Sequence, residues 1–185
     1  MRVIAGLYKG RILGTVKDLS VRPATDRVKQ TVFDMLANRV ELEGASVLDL
    51  FAGSGSLGIE ALSRGAARAV FVEQNARAVD SIEQNLRELG LEPVSEIYEM
   101  DAFGFLRTAH DAFDLVFADP PYDFGETPEI PRLLFSGGAV APSGYALSEH
   151  AADLQFETTA EYRVGPEKRF GRTVVTFFQG INHNG

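Results

Sequence analysis

Residues 47–58 constrain the fold of this chain more than any other stretch. A short apolar run, Val-Leu-Asp-Leu, is followed by closely spaced glycines at Gly53, Gly55 and Gly58 and then by apolar residues at helical spacing. This order predicts a strand, a tight loop and a helix, which is the opening unit of a nucleotide-binding α/β domain. The glycines permit a sharp turn and let the backbone approach a ligand closely, because they carry no Cβ.

The chain from residue 46 onwards alternates predicted strands with predicted helices. The apolar runs predict strands at residues 46–51, 69–72, 94–99, 113–118 and 144–148. The periodicity predicts helices at residues 56–64, 76–89, about 103–106 and about 128–136, with Gly90 ending the second of them. Residues 161–164 and 173–178 predict a closing antiparallel pair. The alternation predicts a mostly parallel α/β sheet covered on both faces, with ligands bound at the carboxyl ends of its strands.

The N-terminal segment is basic although the whole chain has a net charge of −8. Residues 1–30 carry seven basic and two acidic side chains, and we expect a small β-hairpin over residues 2–17 and a helix from Thr25 to about residue 38. Such asymmetry is typical of a basic edge that contacts phosphates, joined to an acidic body. From charge alone, a solvated helix face is an equal alternative. The candidate nucleic-acid-binding residues are Arg2, Lys9, Arg11, Arg22, Arg27 and Lys29.

A carboxylate lies at or just beyond the end of each of the first four predicted strands of this sheet. These residues are Asp49, Glu73, Asp101 and Asp119. One such residue alone is weak evidence, since acids often cap helices. Because parallel strands end at the same edge of a sheet, the four together predict an acidic crevice.

The negative charge of the acidic crevice helps to distinguish between two possible cofactors. Residues 53–58 match the G-x-G-x-x-G pattern of dinucleotide sites, and Glu73 lies where an acid would bind a ribose. However, Asp49 would repel a pyrophosphate, whereas S-adenosylmethionine has no phosphate and carries an ammonium and a sulfonium group. In that interpretation Glu73 accepts hydrogen bonds from the ribose hydroxyls and Asp101 accepts one from the adenine amine. The charges therefore favour S-adenosylmethionine over NAD.

The sequence Asp119-Pro120-Pro121-Tyr122 follows the fourth strand and suits an acceptor amine. An exocyclic amine on a base is a poor nucleophile because its lone pair is delocalised into the ring. Two acceptors, the Asp119 carboxylate and the Pro120 carbonyl, can take its two hydrogens and orient the nitrogen towards a methyl group. Tyr122 offers a flat face on which the base can stack, with Phe124 nearby. A strand-terminating Pro-Pro turn is the structural alternative.

Two sets of motifs resemble known families. Residues 49–55 together with residues 119–122 are similar to class I S-adenosylmethionine-dependent amino-methyltransferases. The blocks at residues 2–11 and 22–29, with residues 170–172 before the last strand, resemble more narrowly the bacterial family that methylates the exocyclic N2 of a guanine in 16S ribosomal RNA. Because DNA N6-adenine methyltransferases share the D-P-P-Y sequence, the choice of substrate depends on the N-terminal blocks.

The resemblance implies a Rossmann-like class I methyltransferase fold, whose seven-stranded, mostly parallel sheet has an antiparallel last strand. It further implies S-adenosylmethionine as cofactor, a monomer, and 16S rRNA or a small-subunit assembly intermediate as partner. The implied cofactor-binding residues are Asp49, Phe51, Gly53, Gly55, Glu73, Asp101 and Ala102. The implied catalytic residues of the acceptor site are Asp119, Pro120, Pro121 and Tyr122.

Together these patterns predict three parts of the chain and exclude several chemistries. We expect an RNA-contacting hairpin and helix at residues 1–40, an S-adenosylmethionine-binding domain at 41–180, and a tail at 181–185. The chain has no cysteine, so a cysteine nucleophile and disulfides are excluded, and its three histidines have no metal-binding spacing. Its apolar runs are shorter than a membrane span and no signal peptide is evident, so we expect a cytoplasmic protein.

Three alternative functions remain open at this stage. The chain could methylate DNA adenine N6 or a small-molecule amine, since the same acceptor motif serves those substrates. A NAD-dependent oxidoreductase and a non-catalytic RNA-binding module are less favoured, because the D-P-P-Y sequence is intact.

Overall fold

The computed structural model describes residues 1–15 and 26–181, and all structural statements below concern these residues. They contain five α-helices and seven strands. The helices are α1 (Asp26–Leu36), α2 (Ser56–Ser63), α3 (Ala76–Leu89), α4 (Ala102–Thr108) and α5 (Ile130–Ser136). The strands are β1 (Ser46–Leu50), β2 (Arg68–Glu73), β3 (Ser95–Glu99), β4 (Phe113–Ala118), β5 (Val140–Ala151), β6 (Tyr162–Phe170) and β7 (Thr173–Gly180).

The seven strands form one sheet in the spatial order β3-β2-β1-β4-β5-β7-β6. The pairs among β1 to β5 are parallel, whereas β7 runs antiparallel to both of its neighbours. The predicted mostly parallel α/β sheet with an antiparallel last strand is therefore confirmed. Because β1 to β4 are parallel, the residues after them lie along one edge of the sheet.

Helices cover both faces of the sheet, as a parallel sheet requires. On the first face, apolar residues of α1, α2 and α3 pack with Phe71 and Phe117 of the sheet. On the second face, α4 and α5 pack against a separate cluster that includes Leu48 and Val116. No helix of the described residues is long and apolar enough to cross a membrane.

Helix α3 and strand β5 show where the local sequence does and does not determine the first and last residues of an element. Helix α3 has the predicted bounds, because Asn75 caps its start by accepting a hydrogen bond from Arg77 N (3.0 Å) and Gly90 follows it at φ 67°. Strand β5 is longer than the predicted 144–148, and its first residues include Pro142 and Gly144. A register shift between the partners of Phe113 and Leu115 in β4 accommodates those residues within the strand.

The N-terminal segment forms a short hairpin, as predicted, with one antiparallel bridge between Arg2 and Ile12. Hydrogen bonds from Val3 N to Arg11 O (2.9 Å) and from Gly10 N to Val3 O (2.8 Å) close it. Thr25, the predicted start of α1, lies outside the described residues. The division of the chain at residue 40 stays a prediction.

A buried carboxylate on α2 anchors the hairpin to the sheet domain. Glu60 accepts hydrogen bonds from Ile4 N (2.8 Å) and Ala5 N (3.0 Å). It also forms ion pairs with Arg64 Nε (2.8 Å) and with Lys29 Nζ of α1 (3.4 Å). Lys29 in turn donates to the Arg2 carbonyl (2.6 Å), so one carboxylate links the hairpin, α1 and α2.

We predict that Glu60→Gln destabilises the protein by about 3 kcal/mol, because it leaves the buried Lys29 ammonium without its counter-charge and places an amide N–H against backbone N–H groups. Urea denaturation followed by circular dichroism measures the change. The matched control is Glu41→Gln, since Glu41 is exposed, and we expect it to change the free energy of unfolding by less than about 0.5 kcal/mol. Equal stability of the two variants would refute the anchoring role of Glu60.

Candidate active site

The loop between β1 and α2 adopts the tight conformation that its glycines predict. Gly55 has φ 74°, and an added Cβ at Gly58 would lie 2.4 Å from the Phe71 ring. Phe51 also lies in the left-handed region, at φ 59°, although it is not glycine. That conformation costs about 1–2 kcal/mol, and such strain is concentrated at functional sites.

The carboxylate of Asp49 is buried beneath this loop. It is 2% exposed, and its Oδ2 accepts a hydrogen bond from Gly58 N at 2.9 Å. Burial raises the pKa of Asp49 to about 8, and the negative charge of Glu73 acts in the same direction. The site therefore holds a carboxylate whose charge is destabilised until a positive group comes near it.

Glu73, at the end of β2, fastens the loop to the neighbouring strand. Its Oε2 accepts from Gly53 N (2.9 Å) and its Oε1 accepts from Asn75 N (2.8 Å). Asp101 caps helix α4, because its Oδ1 accepts a hydrogen bond from Gly104 N (2.7 Å) at the start of that helix. Both side chains lie at the carboxyl edge of the sheet with Asp49.

The donor set at this edge fits S-adenosylmethionine better than a dinucleotide. A dinucleotide site uses free amides of the glycine loop to bind the pyrophosphate. Here the Gly53 and Gly58 amides donate instead to the carboxylates of Glu73 and Asp49. The remaining acceptor capacity of these carboxylates suits ammonium and hydroxyl donors.

The acceptor motif lies next to this edge, directly after β4. Pro120 is buried, whereas the Tyr122 side chain is 71% exposed, so the face of its ring is accessible for stacking. The pKa of Asp119 is raised well above its usual value, first by burial and then by the negative charges of Glu149 and Asp49. A carboxylate with a raised pKa is a stronger base than an ordinary one.

Aromatic contacts attach the acceptor turn to the glycine loop. Phe124 N donates to Pro121 O (2.9 Å), which closes the turn. The Phe124 ring packs edge-on against Phe51 (centroids 5.2 Å apart) and against Phe103 of α4 (5.5 Å). The turn is therefore held against both the glycine loop and α4.

A cleft opens beside Asp119 between α1 and the carboxyl ends of β4 and β5. It is open to solvent, and its walls are mostly apolar. Its lining includes Val28, Val32, Leu57, Leu147, Asp119 and Glu149. Glu149 is not among the predicted site residues, although it directly follows the predicted strand 144–148. The strand-end rule that selected the other acids would have found it.

The basic residues of the N-terminal segment differ in their surroundings. Lys9, Arg11 and Arg27 are exposed, and Arg2 is exposed with an ion pair to Asp26 (3.0 Å). Arg22 lies outside the described residues.

Lys29 is a correction to the predicted nucleic-acid-binding set. Its side chain is fully buried and pairs with Glu60, so it does not face solvent where a phosphate could reach it. It lies one turn before Val32 and Phe33, on the buried face of α1. Burial lowers its pKa, and the Glu60 charge opposes that effect.

Comparison with known proteins gives consistent results. The family described as "Conserved hypothetical protein 95" matches residues 1–179. The "Ribosomal RNA small subunit methyltransferase D" of Haemophilus influenzae is 32% identical over 97% of this chain and 93% of its own length. The Escherichia coli K12 protein of the same name is 33% identical over 97% of this chain and 89% of its own length. The solved structure of yhhF from Escherichia coli superposes with a TM-score of 0.85 and 32% identity, covering 97% of each chain.

The raised pKa of Asp49 predicts a pH-dependent stability of the cofactor-free protein. Asp49 retains its proton up to about pH 8 when folded but loses it near its ordinary pKa of 3.8 when unfolded. The folded state therefore binds the extra proton between these values, and its stability falls as the pH rises from about 4 to about 8. Asp49→Asn removes this pH-dependent loss of stability, and its amide oxygen can still accept the hydrogen bond from Gly58 N.

We expect Asp49→Asn to be more stable than the wild type by about 2–5 kcal/mol at pH 8 and by much less at pH 5. Thermal denaturation at both values measures the difference. Asp80→Asn, at an exposed position of α3, is the control and should show no such pH-dependent difference. A constant gap between Asp49→Asn and the wild type across this range would contradict the assignment.

Proposed function

The chain belongs to the conserved hypothetical protein 95 family, with the small-subunit rRNA methyltransferases D among its relatives, and from this premise we propose that it methylates the exocyclic N2 amine of a guanine in 16S rRNA. The observation that carries the proposal is the juxtaposition of the turn at residues 119–122 with the carboxylate-lined glycine loop. One part of the site offers acceptors to an amine, and the other offers negative charge to a positively charged methyl donor.

S-adenosylmethionine, when bound, supplies an electrophilic methyl group on a sulfonium. In the proposed arrangement Asp49 binds its ammonium group, Glu73 its ribose hydroxyls and Asp101 its adenine amine. The other proposed cofactor-lining residues are Phe51, Gly53, Gly55 and Ala102. The carboxylates support this assignment, because burial and the Glu73 charge raise the pKa of Asp49 and a cationic ligand stabilises its charged form.

The acceptor residues orient the amine rather than react covalently with it. Asp119 and the Pro120 carbonyl each accept one hydrogen of the N2 amine, which directs the nitrogen lone pair towards the methyl group. As positive charge develops on the nitrogen, Asp119 stabilises it and can accept the proton that the amine releases. The exposed ring of Tyr122 stacks on the guanine.

The exposed basic residues of the hairpin and α1 supply the RNA contacts in this proposal. Gly14 N donates to Asn85 Oδ1 (2.7 Å), and Asn85 Nδ2 donates to Ser54 O (3.1 Å) of the glycine loop. RNA bound to Lys9, Arg11 or Arg27 would thus lie near the cofactor. A ribosomal assembly intermediate as substrate and a monomeric state stay predictions.

A methylation assay with labelled S-adenosylmethionine tests the proposal. Unmodified small ribosomal subunits, free 16S rRNA and duplex DNA are offered separately, and the product nucleoside is identified by mass spectrometry. We expect N2-methylguanosine in the ribosomal RNA. Transfer only to DNA, or formation of N6-methyladenosine, would reject the proposed substrate.

We predict that Asp119→Asn lowers kcat in this assay by about 10²- to 10⁴-fold, because the amide cannot accept a proton or stabilise positive charge. Isothermal titration should give an affinity for S-adenosylmethionine within about twofold of the wild type. The matched control, Asp123→Asn, alters an exposed acid of the same turn and should keep its activity. Full activity of Asp119→Asn would remove the mechanism.

A second prediction concerns the basic edge. Arg27→Glu should weaken RNA binding about tenfold at moderate salt and flatten its salt dependence, since one phosphate contact is lost. Filter binding at several salt concentrations measures both effects. Arg107→Glu, on α4 behind the opposite face of the sheet, is the control. If the two variants bind RNA equally well, this edge does not contact RNA.

A further inference from the structure

Glu149 brings a second carboxylate to the cleft beside Asp119. Ala118 of β4 pairs with Ser148 of β5 in parallel register, so Asp119 and Glu149 are the next residues along adjacent strands. Both line the same cleft. They are close enough for the Glu149 charge to contribute to the raised pKa of Asp119.

Most of the described part of the cleft wall is apolar. Val28, Val32, Leu57 and Leu147 are among its apolar lining residues. Lys29 also lines the cleft, but its ammonium is already paired with Glu60 at 3.4 Å and donates to the Arg2 carbonyl. The cleft therefore combines an apolar wall with two carboxylates, the arrangement typical of a pocket that fixes the orientation of a flat ligand.

The pairing edges of guanine and adenine differ at the position next to the amine. Guanine has two adjacent donors there, the N2 amine and N1–H, whereas adenine has its N6 amine next to N1, which is an acceptor. A carboxylate only accepts hydrogen bonds. Two neighbouring carboxylates therefore match guanine, while one of them would face the N1 lone pair of adenine.

We propose that Glu149 accepts a hydrogen bond from N1–H of the target guanine and is the residue by which the site selects guanine over bases without that hydrogen. This inference rests on the proposed function, in which Asp119 binds the N2 amine. Glu149 and Asp119 then act as two acceptors for two adjacent donors. A site built to accept an N–H rejects an analogue that lacks it, because the carboxylate oxygen then faces a lone pair instead of a donor.

The test uses small subunits reconstituted with a single altered base at the mapped target position. In 2,6-diaminopurine the N2 amine is retained but N1 carries no hydrogen, so the comparison isolates the N1–H contact. We expect the wild-type protein to methylate guanine about 10- to 100-fold more efficiently, in kcat/KM, than 2,6-diaminopurine. Equal efficiency with the two bases would overturn the inference with no variant required.

Glu149→Gln gives a second, independent readout. Its amide can donate to N1 of 2,6-diaminopurine as well as accept from guanine, so we expect the preference for guanine to fall about tenfold or more. Glu157→Gln, at an exposed position, is the matched control and should keep the wild-type preference. An unchanged preference in Glu149→Gln would also overturn the inference.

The outcomes separate this inference from the proposed function. If the wild-type protein methylates guanine in the small subunit but does not discriminate against 2,6-diaminopurine, the proposed function stands and the role of Glu149 is rejected. If it methylates no guanine in that substrate, the proposed function itself fails. Isothermal titration with S-adenosylmethionine and thermal denaturation establish that each variant is folded and binds its cofactor.

Discussion

The parallel register of the first four strands is the constraint on which the site depends. It brings side chains from distant parts of the chain to one edge of the sheet, and here those side chains are carboxylates. Burial raises the pKa of both Asp49 and Asp119; the negative charge of Glu73 adds to the effect at Asp49, and those of Glu149 and Asp49 add to it at Asp119. This charge repulsion lowers the stability of the cofactor-free protein. A ligand that carries positive charge explains the arrangement, because its binding removes the repulsion.

The N-terminal segment is joined to this edge through one buried carboxylate rather than through an extended sheet. Glu60 binds two backbone amides of the hairpin and two cationic side chains. The same helix, α2, begins at the glycine loop, and its Gly58 amide contacts Asp49. The proposed RNA-binding surface and the proposed pocket for the methyl donor are therefore connected through one short helix. This close connection supports the proposal that the hairpin and the sheet domain act together.

Local sequence predicted most of the fold, because its helices and strands have clear apolar periodicity and recognisable terminating residues. The strand-end carboxylates were found by the same reasoning, since parallel strands share an edge. Lys29 was misjudged because its partner, Glu60, lies on another helix, 31 residues further along the chain. The left-handed backbone of Phe51 has no signature in the sequence. Glu149 could have been selected by the strand-end rule, whereas its position beside Asp119 depends on the register between β4 and β5.

The central claim is that the carboxylate edge binds a cationic methyl donor directly beside the turn that holds the acceptor base. A crystal structure of the protein with S-adenosylhomocysteine, the demethylated product, tests it most directly. The account predicts the ribose hydroxyls on Glu73, the amino group near Asp49, and the sulfur facing the turn at residues 119–122. A ligand bound away from that edge, or a sulfur directed away from Asp119 and Tyr122, would contradict the account.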